Sequence, residues 1–190
     1  MLPTALIAAT PLAVPGLLLL RPAAMMDRQG WISVIADEAA LGAVGVHDRF
    51  IRDTIIYAEH AGSVRGLHYQ LAPRRQARIV RVLRGRAYVV AVDVRRGSAT
   101  FGRSGAAALS YMDGAQVYAM PGFALGWCSL DPATELLVKS SAVDDPELQR
   151  GINWRDPALK LDWPVRAADA HIEVEDVGLP MLADQPDLPD

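Results

Sequence analysis

Apolar and polar positions change over short intervals through the middle of the chain. Residues 65–71, 77–83, 87–94, 115–120, 126–130 and 135–140 are rich in Val, Leu, Ile and aromatics. Turn signals separate them: Ala72-Pro73, Arg84-Gly85, Arg96-Gly97-Ser98, Asp113-Gly114, Pro121-Gly122 and Asp131-Pro132. Strands spaced roughly 8–12 residues apart, with such punctuation, predict an all-β sandwich or barrel. The window Tyr88–Val92 is apolar throughout, which predicts a strand covered on both faces. One short helix is predicted over Asp37–Val44, with Asp37 as its cap. From Trp163 onward the sequence is rich in Pro and Asp and is predicted irregular.

The first twenty residues carry no charged side chain, but Pro3, Pro11, Pro15 and Gly16 interrupt them. No basic segment precedes this run and no small-residue cleavage motif ends it, so a cytoplasmic protein is expected rather than a membrane segment. The reading is a flexible tail over residues 1–16, a single jelly-roll domain over 17–182 beginning with a buried strand Leu17–Leu20, and an acidic tail over 183–190. The chain has 190 residues, 51% of them hydrophobic, which suffices for one core and excludes wholesale disorder. A net charge of -3 argues against nucleic-acid binding by bulk charge. The single cysteine, Cys128, excludes a disulfide within the chain and a multi-cysteine zinc site. Arginine supplies 17 of the 19 basic residues, and twelve of these lie between Arg49 and Arg103. Arginine forks suit phosphates and carboxylates, although a solvated strand face gives the same pattern.

The four histidines are His47, His60, His68 and His171. None stands two residues from another, so the His-x-His arm of a metal-binding cupin is missing. Its second arm would place a histidine after the Pro121-Gly122 turn, where Leu125 stands, and a leucine cannot ligate a metal. A jelly roll without a metal is therefore expected. The densest chemical signal is Val64-Arg65-Gly66-Leu67-His68-Tyr69-Gln70. On a regular strand Arg65, Leu67 and Tyr69 share one face, and Gly66, His68 and Gln70 the other. His68 is then either a base at a cavity mouth or a structural histidine.

That segment, followed by Gln76-Ala77-Arg78-Ile79-Val80-Arg81 and by Ala91-Val92-Asp93-Val94-Arg95-Arg96-Gly97-Ser98-Ala99-Thr100-Phe101-Gly102, resembles the dTDP-4-dehydrorhamnose 3,5-epimerases. So do Pro121-Gly122-Phe123-Ala124-Leu125-Gly126, Gly151-Ile152-Asn153-Trp154-Arg155-Asp156-Pro157 and Asp162-Trp163-Pro164. The resemblance runs from about Leu17 to Leu182. It implies a cupin-type double-stranded β-helix, or jelly roll, with short peripheral helices and neither metal nor other cofactor. It further implies a nucleotide sugar as the small-molecule partner, and a homodimer in which Leu17–Leu20 packs on the second copy. The implied reaction is proton abstraction beside a 4-keto group. His68 matches the family's base, and Asp176 matches the carboxylate that orients it. Arg65 matches a substrate-contacting arginine, and Arg78 stands where the family has a lysine near the enolate oxygen. Gln70, Lys139 and Asp144 complete the expected substrate contacts.

The departures from the pattern carry information too. Asp144 stands where the family has a tyrosine, the proposed acid on the opposite sugar face. A carboxyl with a reference pKa of about 3.9 is a poor proton donor at pH 7. Leu125 replaces the family's second histidine. The nucleotide-contacting segments read Asp27-Arg28-Gln29-Gly30-Trp31-Ile32-Ser33-Val34 and Arg52-Asp53-Thr54, without several of the family's contact residues. The expectation is an epimerase of nucleotide-linked 4-keto-6-deoxy sugars with another substrate or fewer inverted centres. The alternatives are a catalytically impaired member that binds a sugar nucleotide or a pathway partner, and an unrelated ligand-binding cupin with no His68–Asp176 contact. An enzyme that inverts needs a second proton donor, for which Tyr69, Tyr111, Tyr118 or a water are the candidates.

Overall fold

The computed structural model describes residues 6–190. Two antiparallel sheets face each other as a jelly roll. The first runs in the order β1 (Ile7–Pro11), β2 (Leu17–Pro22), β10 (Gln116–Ala119), β7 (Arg78–Arg84), β12 (Thr134–Ser140) and β5 (Arg52–Ala58). The second runs β13 (Gln149–Gly151), β6 (Ser63–Gln70), β11 (Phe123–Ser129), β8 (Arg86–Asp93) and β9 (Ser104–Ser110), with β14 (His171–Ile172) added parallel to β6. A separate hairpin pairs β3 (Ala24–Met26) with β4 (Trp31–Ser33). Two short helices, α1 (Glu38–Ala43) and α2 (Val174–Val177), lie at the periphery with a 3-10 turn over Leu182–Asp184.

Alternation along the strands builds three layers of core. Val89 and Ala91 of β8 point between the sheets, against Val80, Val82, Val117, Leu125, Trp127 and Leu136. Val90 and Val92 point the other way, into a cluster with Leu67, Tyr69, Ile152, Leu159 and Leu182. The window Tyr88–Val92 is thus covered on both faces, as its composition predicts. Outside the first sheet, Leu20, Ile79 and Tyr118 are covered by Leu41 of α1 and by Val46. Asp37 caps α1 by accepting the Ala40 N–H at 2.8 Å, the bond expected of a helix N-cap.

Three expectations need correction. Within the expected loose tail, Ile7–Pro11 is a strand paired in register with β2; the first five residues lie outside the described ones. Strand β2 is flanked by β1 on one side and β10 on the other, so Leu17–Leu20 has no free edge to offer a second copy. The acidic end is not a loose tail either. Gln185 Nε2 donates to Gly151 O at 2.8 Å, Tyr69 O–H to Asp187 O at 2.5 Å, and the Arg96 N–H to Pro189 O at 2.8 Å. The donors are the tail's own Gln185 amide and, from the body, the Tyr69 hydroxyl and the Arg96 backbone N–H, none of which the charge pattern of the tail reveals. No described helix is long and apolar enough to cross a membrane.

One buried ion pair locks the turns at the end of β8. Asp93 accepts from Arg95 Nε at 2.9 Å and Nη2 at 2.7 Å, from Ser98 Oγ at 2.5 Å and from Thr100 Oγ1 at 2.7 Å. Burial alone would raise this carboxyl. The bonds from Arg95, Ser98 and Thr100 outweigh it and hold the pKa at about 2. A depressed carboxyl stabilises the fold above its unfolded pKa and loses that contribution as pH falls through the folded one. Between about pH 5 and about pH 2.5, the wild type should therefore lose about 1.5 kcal/mol more unfolding free energy than Asp93→Asn, measured by denaturant titration. Equal slopes for the two proteins would contradict this.

Candidate active site

His68 on β6 and Asp176 in α2 meet although 108 positions separate them: His68 Nε2 lies 2.6 Å from Asp176 Oδ1. The other carboxylate oxygen, Oδ2, accepts the Gly66 backbone N–H at 2.8 Å. The Asp176 side chain is 6% exposed and that of His68 22%. Burial opposes charge on Asp176, but the bonds from His68 and Gly66, with the nearby Arg65, outweigh it and hold the carboxyl below its ordinary range. An ionised carboxylate only accepts hydrogens, which assigns the imidazole proton to Nε2 and leaves the Nδ1 lone pair free to act.

The regular alternation read along this strand fails at one point. Leu67 and Tyr69 pack into the outer cluster as expected, but Arg65 joins His68 on the cavity side. Gly66 takes φ +100°, and the pairing of β6 with β11 shifts register between Leu125 and Trp127. A Cβ at Gly66 would stand 2.6 Å from Leu125 O and 2.9 Å from Gly126 Cα. Only glycine fits there, and the irregularity turns two successive polar side chains into one space.

That space is a cavity of about 280 Å3 between the sheets. Arg65, His68, Leu125 and Trp127 come from the second sheet; Thr54, Ile56, Arg78, Val138 and Ser140 come from the first. Asp144 and Gln149 close one end. Asp144 is tied on both oxygens: Oδ1 accepts from Gln76 Nε2 at 2.9 Å, and Oδ2 lies 3.2 Å from Arg52 Nη2. Gln76 Oε1 in turn accepts from Arg78 Nε at 3.0 Å and Nη2 at 2.5 Å. Arg78 Nη1 reaches the His68 carbonyl at 3.3 Å. Burial lowers the Arg78 pKa, and Asp144 opposes that shift. Two open grooves adjoin the cavity and share Arg65 with it. One of about 510 Å3 carries Tyr57, His60 and His171; the other carries Arg150, Glu173 and Glu175.

The structure brings His68, Asp176, Arg65, Arg78 and Asp144 together, but not Lys139 or Gln70. Lys139 alternates with Val138 and Ser140 on β12, so it points away from the cavity and binds both Asp53 oxygens at 2.7 Å. Gln70 supports the Asp144 loop instead: it donates to Val143 O at 3.0 Å and accepts the Asp145 N–H at 2.9 Å. The three tyrosines considered as donors are elsewhere. Tyr69 serves the C-terminal segment, Tyr118 O–H donates to Asp48 at 2.6 Å, and Tyr111 is exposed in the turn after β9. Sequence reasoning missed Ser140 and Trp127, which strand alternation and pairing register would have found. It also missed the Gly66 N–H, which has no signal beyond the glycine itself. Among the described residues no three His, Cys, Asp or Glu side chains converge as a metal site requires.

Asp176→Asn tests the tautomer directly. The amide keeps one acceptor for the Gly66 N–H and turns its NH2 to His68, so Nε2 must accept and the proton moves to Nδ1. Nitrogen chemical shifts of His68 should report Nε2–H in the wild type and Nδ1–H in the variant, with a stability loss of about 1–3 kcal/mol. An unchanged tautomer would refute the assignment.

Known proteins place this geometry. The dTDP-4-dehydrorhamnose 3,5-epimerase family profile matches residues 11–184. A dTDP-4-dehydrorhamnose 3,5-epimerase from Sinorhizobium fredii is 37% identical over 153 residues, which cover 80% of this chain and 78% of its own. The structure of dTDP-6-deoxy-D-glucose-3,5-epimerase from Legionella pneumophila, in complex with dTDP-4-keto-L-rhamnose, superposes with a TM-score of 0.89 at 29% identity. That match covers 96% of this chain and 97% of the other. A 3'-monoepimerase from Streptomyces bikiniensis, in complex with dTDP-quinovose, gives a TM-score of 0.83 at 28% identity and covers 91% of this chain and 87% of its own. A jelly roll with these relatives along nearly its whole length, and with a carboxylate-bound imidazole lining the cavity between its sheets, belongs to the dTDP-4-dehydrorhamnose 3,5-epimerase family of sugar-nucleotide epimerases.

Proposed function

We propose that this epimerase acts on a nucleotide-linked 4-keto-6-deoxy sugar and exchanges the protons beside the keto group faster than it inverts those centres. The 2.6 Å contact between Asp176 and His68, which itself lines a cavity with Arg65 and Arg78, carries the reading. His68 Nδ1 takes the proton from the carbon next to C4. The C–H electron pair passes into the carbonyl and forms an enolate, while Asp176 stabilises the imidazolium. Arg78 supplies positive charge at the developing oxyanion. Arg65, at the junction of the cavity and both grooves, suits the anionic diphosphate. The relatives bound to dTDP-4-keto-L-rhamnose and dTDP-quinovose support this substrate class.

Inversion needs a donor on the face opposite His68. No tyrosine lines the cavity; the one carboxyl group among its lining residues is that of Asp144, whose oxygens are engaged by Gln76 and Arg52. Its negative charge also opposes an enolate. The His68 imidazolium therefore trades its Nδ1 proton for solvent deuterium and returns deuterium to the same face, which labels the carbon and keeps the configuration. With dTDP-4-keto-6-deoxyglucose in deuterium oxide, wild-type exchange should exceed inversion by about tenfold or more, and Asp144→Tyr should narrow that gap. Two results would overturn the reading: inversion at C3 and C5 as fast as exchange, or fast inversion that survives Asp144→Ala.

We propose further that the chain works as a homodimer. Met26, Trp31 and Ile32 are exposed on the β3–β4 hairpin, which belongs to neither large sheet, and Ile55 and Tyr57 are exposed on the edge strand β5. Apolar surface of this kind, beside an unpaired edge, marks an interaction site. Light scattering at micromolar concentration should give twice the chain mass for the wild type and a shift toward the monomer for Ile32→Asp. A wild-type monomer contradicts it.

A further inference from the structure

We propose that Asn153 is a positioning residue that holds Asp176 against His68. It lines neither the cavity nor the two grooves beside it, so it touches no bound molecule there. It stands instead between the two chain segments that bring the pair together.

On one side is β6. Ile152 exchanges two backbone bonds with Leu67, the neighbour of His68: the Ile152 N–H reaches Leu67 O at 2.9 Å, and the Leu67 N–H reaches Ile152 O at 3.2 Å. On the other side is the segment that follows Asp176. The Asn153 backbone N–H donates to Pro180 O at 2.8 Å, and its side-chain Nδ2 donates to Val177 O at 3.1 Å and Leu179 O at 3.2 Å. Its Oδ1 accepts the Arg155 N–H at 2.9 Å, which fixes the side-chain rotamer. Leu179 packs over Gly151 so closely that a Cβ there would lie 2.6 Å from Leu179 Cδ1.

These contacts matter because α2 cannot hold Asp176 by itself. It has four residues and its N-cap Glu173 makes no side-chain capping bond, so it has no length over which helix formation becomes favourable. Its last carbonyls have no helical partner, and Asn153 Nδ2 supplies a hydrogen to one of them. Upstream, β14 fixes the chain by pairing His171 with Ser63 and Ile172 with Val64 on β6. Downstream, Asn153 does the same work. Asp176 is thereby referenced to β6 from both flanks, and so to His68.

Two substitutions separate this role from a local structural one. Asn153 is only half-buried, and either change leaves its backbone bond to Pro180. Asn153→Ala removes both functions of the side chain. Asn153→Asp keeps the shape and the acceptor for the Arg155 N–H but has no hydrogen for the Val177 and Leu179 carbonyls. The first readout is the low-field proton resonance of His68 Nε2–H bonded to Asp176, which needs no substrate. It should broaden or vanish in both variants while their melting stays cooperative. The second rests on the proposed reaction: kcat for deuterium exchange into dTDP-4-keto-6-deoxyglucose should fall about tenfold to a hundredfold, with KM changed less than about twofold. If Asn153→Asp matches the wild type in the resonance, the side chain only maintains its own turn and the proposal fails. If both variants keep the resonance and kcat, it fails as well. Should the wild type exchange no proton, the proposed reaction is wrong, and the resonance alone still decides the role of Asn153.

Discussion

Asp176 accepts two hydrogens from one strand, the first from the Gly66 backbone and the second from the His68 imidazole two residues later. Much of the site follows from that pair of bonds. An N–H in a regular antiparallel ladder is consumed by the neighbouring strand, and a carboxylate can receive it only where the ladder slips. The slip between β6 and β11 frees the Gly66 N–H, and the same irregularity turns Arg65 onto the cavity side with His68. Backbone irregularity, imidazole tautomer and the placement of a cavity-lining cation are therefore one arrangement. Substituting Gly66 would disturb all three together.

The arginines divide the remaining work by what surrounds each. Arg65 and Arg78 face the cavity, and Arg52 binds Asp144 at its rim. Arg95 is committed to Asp93, and Arg75, Arg96 and Arg150 hold the C-terminal segment. A chain of bonds runs from Arg52 through Asp144 and Gln76 to Arg78 and the His68 carbonyl. It ties the loop after β12 to the strand that carries His68. An arginine-rich sequence is thus neither one basic patch nor a merely solvated face, because burial and partners decide each case.

The sheets were legible because period-2 patterning with Gly and Pro punctuation is a local signal, and so was α1 with its Asp37 cap. Strands β1 and β9 were not, since Ala, Pro and small residues populate them and their strand character comes from tertiary pairing, whereas β5 carries a local strand signal in Thr54-Ile55-Ile56-Tyr57 that was overlooked. His68 and Asp176 were found through family resemblance, and no spacing rule joins residues 108 positions apart. Arg65 was assigned to the wrong face because alternation is a rule for regular strands and Gly66 breaks it. Lys139 was misplaced for the opposite reason: its strand is regular, and alternation, had it been applied, turns it away from Val138 and Ser140.

The segment from His171 to the C-terminus carries Asp176 but belongs to neither sheet's inner core. It is docked by Leu182, which packs into the outer cluster, and by discrete bonds: Leu182 N–H to Asp156 at 2.7 Å, Gln185 to Gly151 O, Tyr69 to Asp187 O, and Arg96 to Pro186 and Pro189. Such a peripheral layer opens locally at a lower free energy than the sheets it covers. Each excursion removes the carboxylate from His68 while the two sheets stay paired. The fraction of molecules that hold the His68–Asp176 contact follows the docked fraction of this layer, so warming should break that contact before the β structure melts.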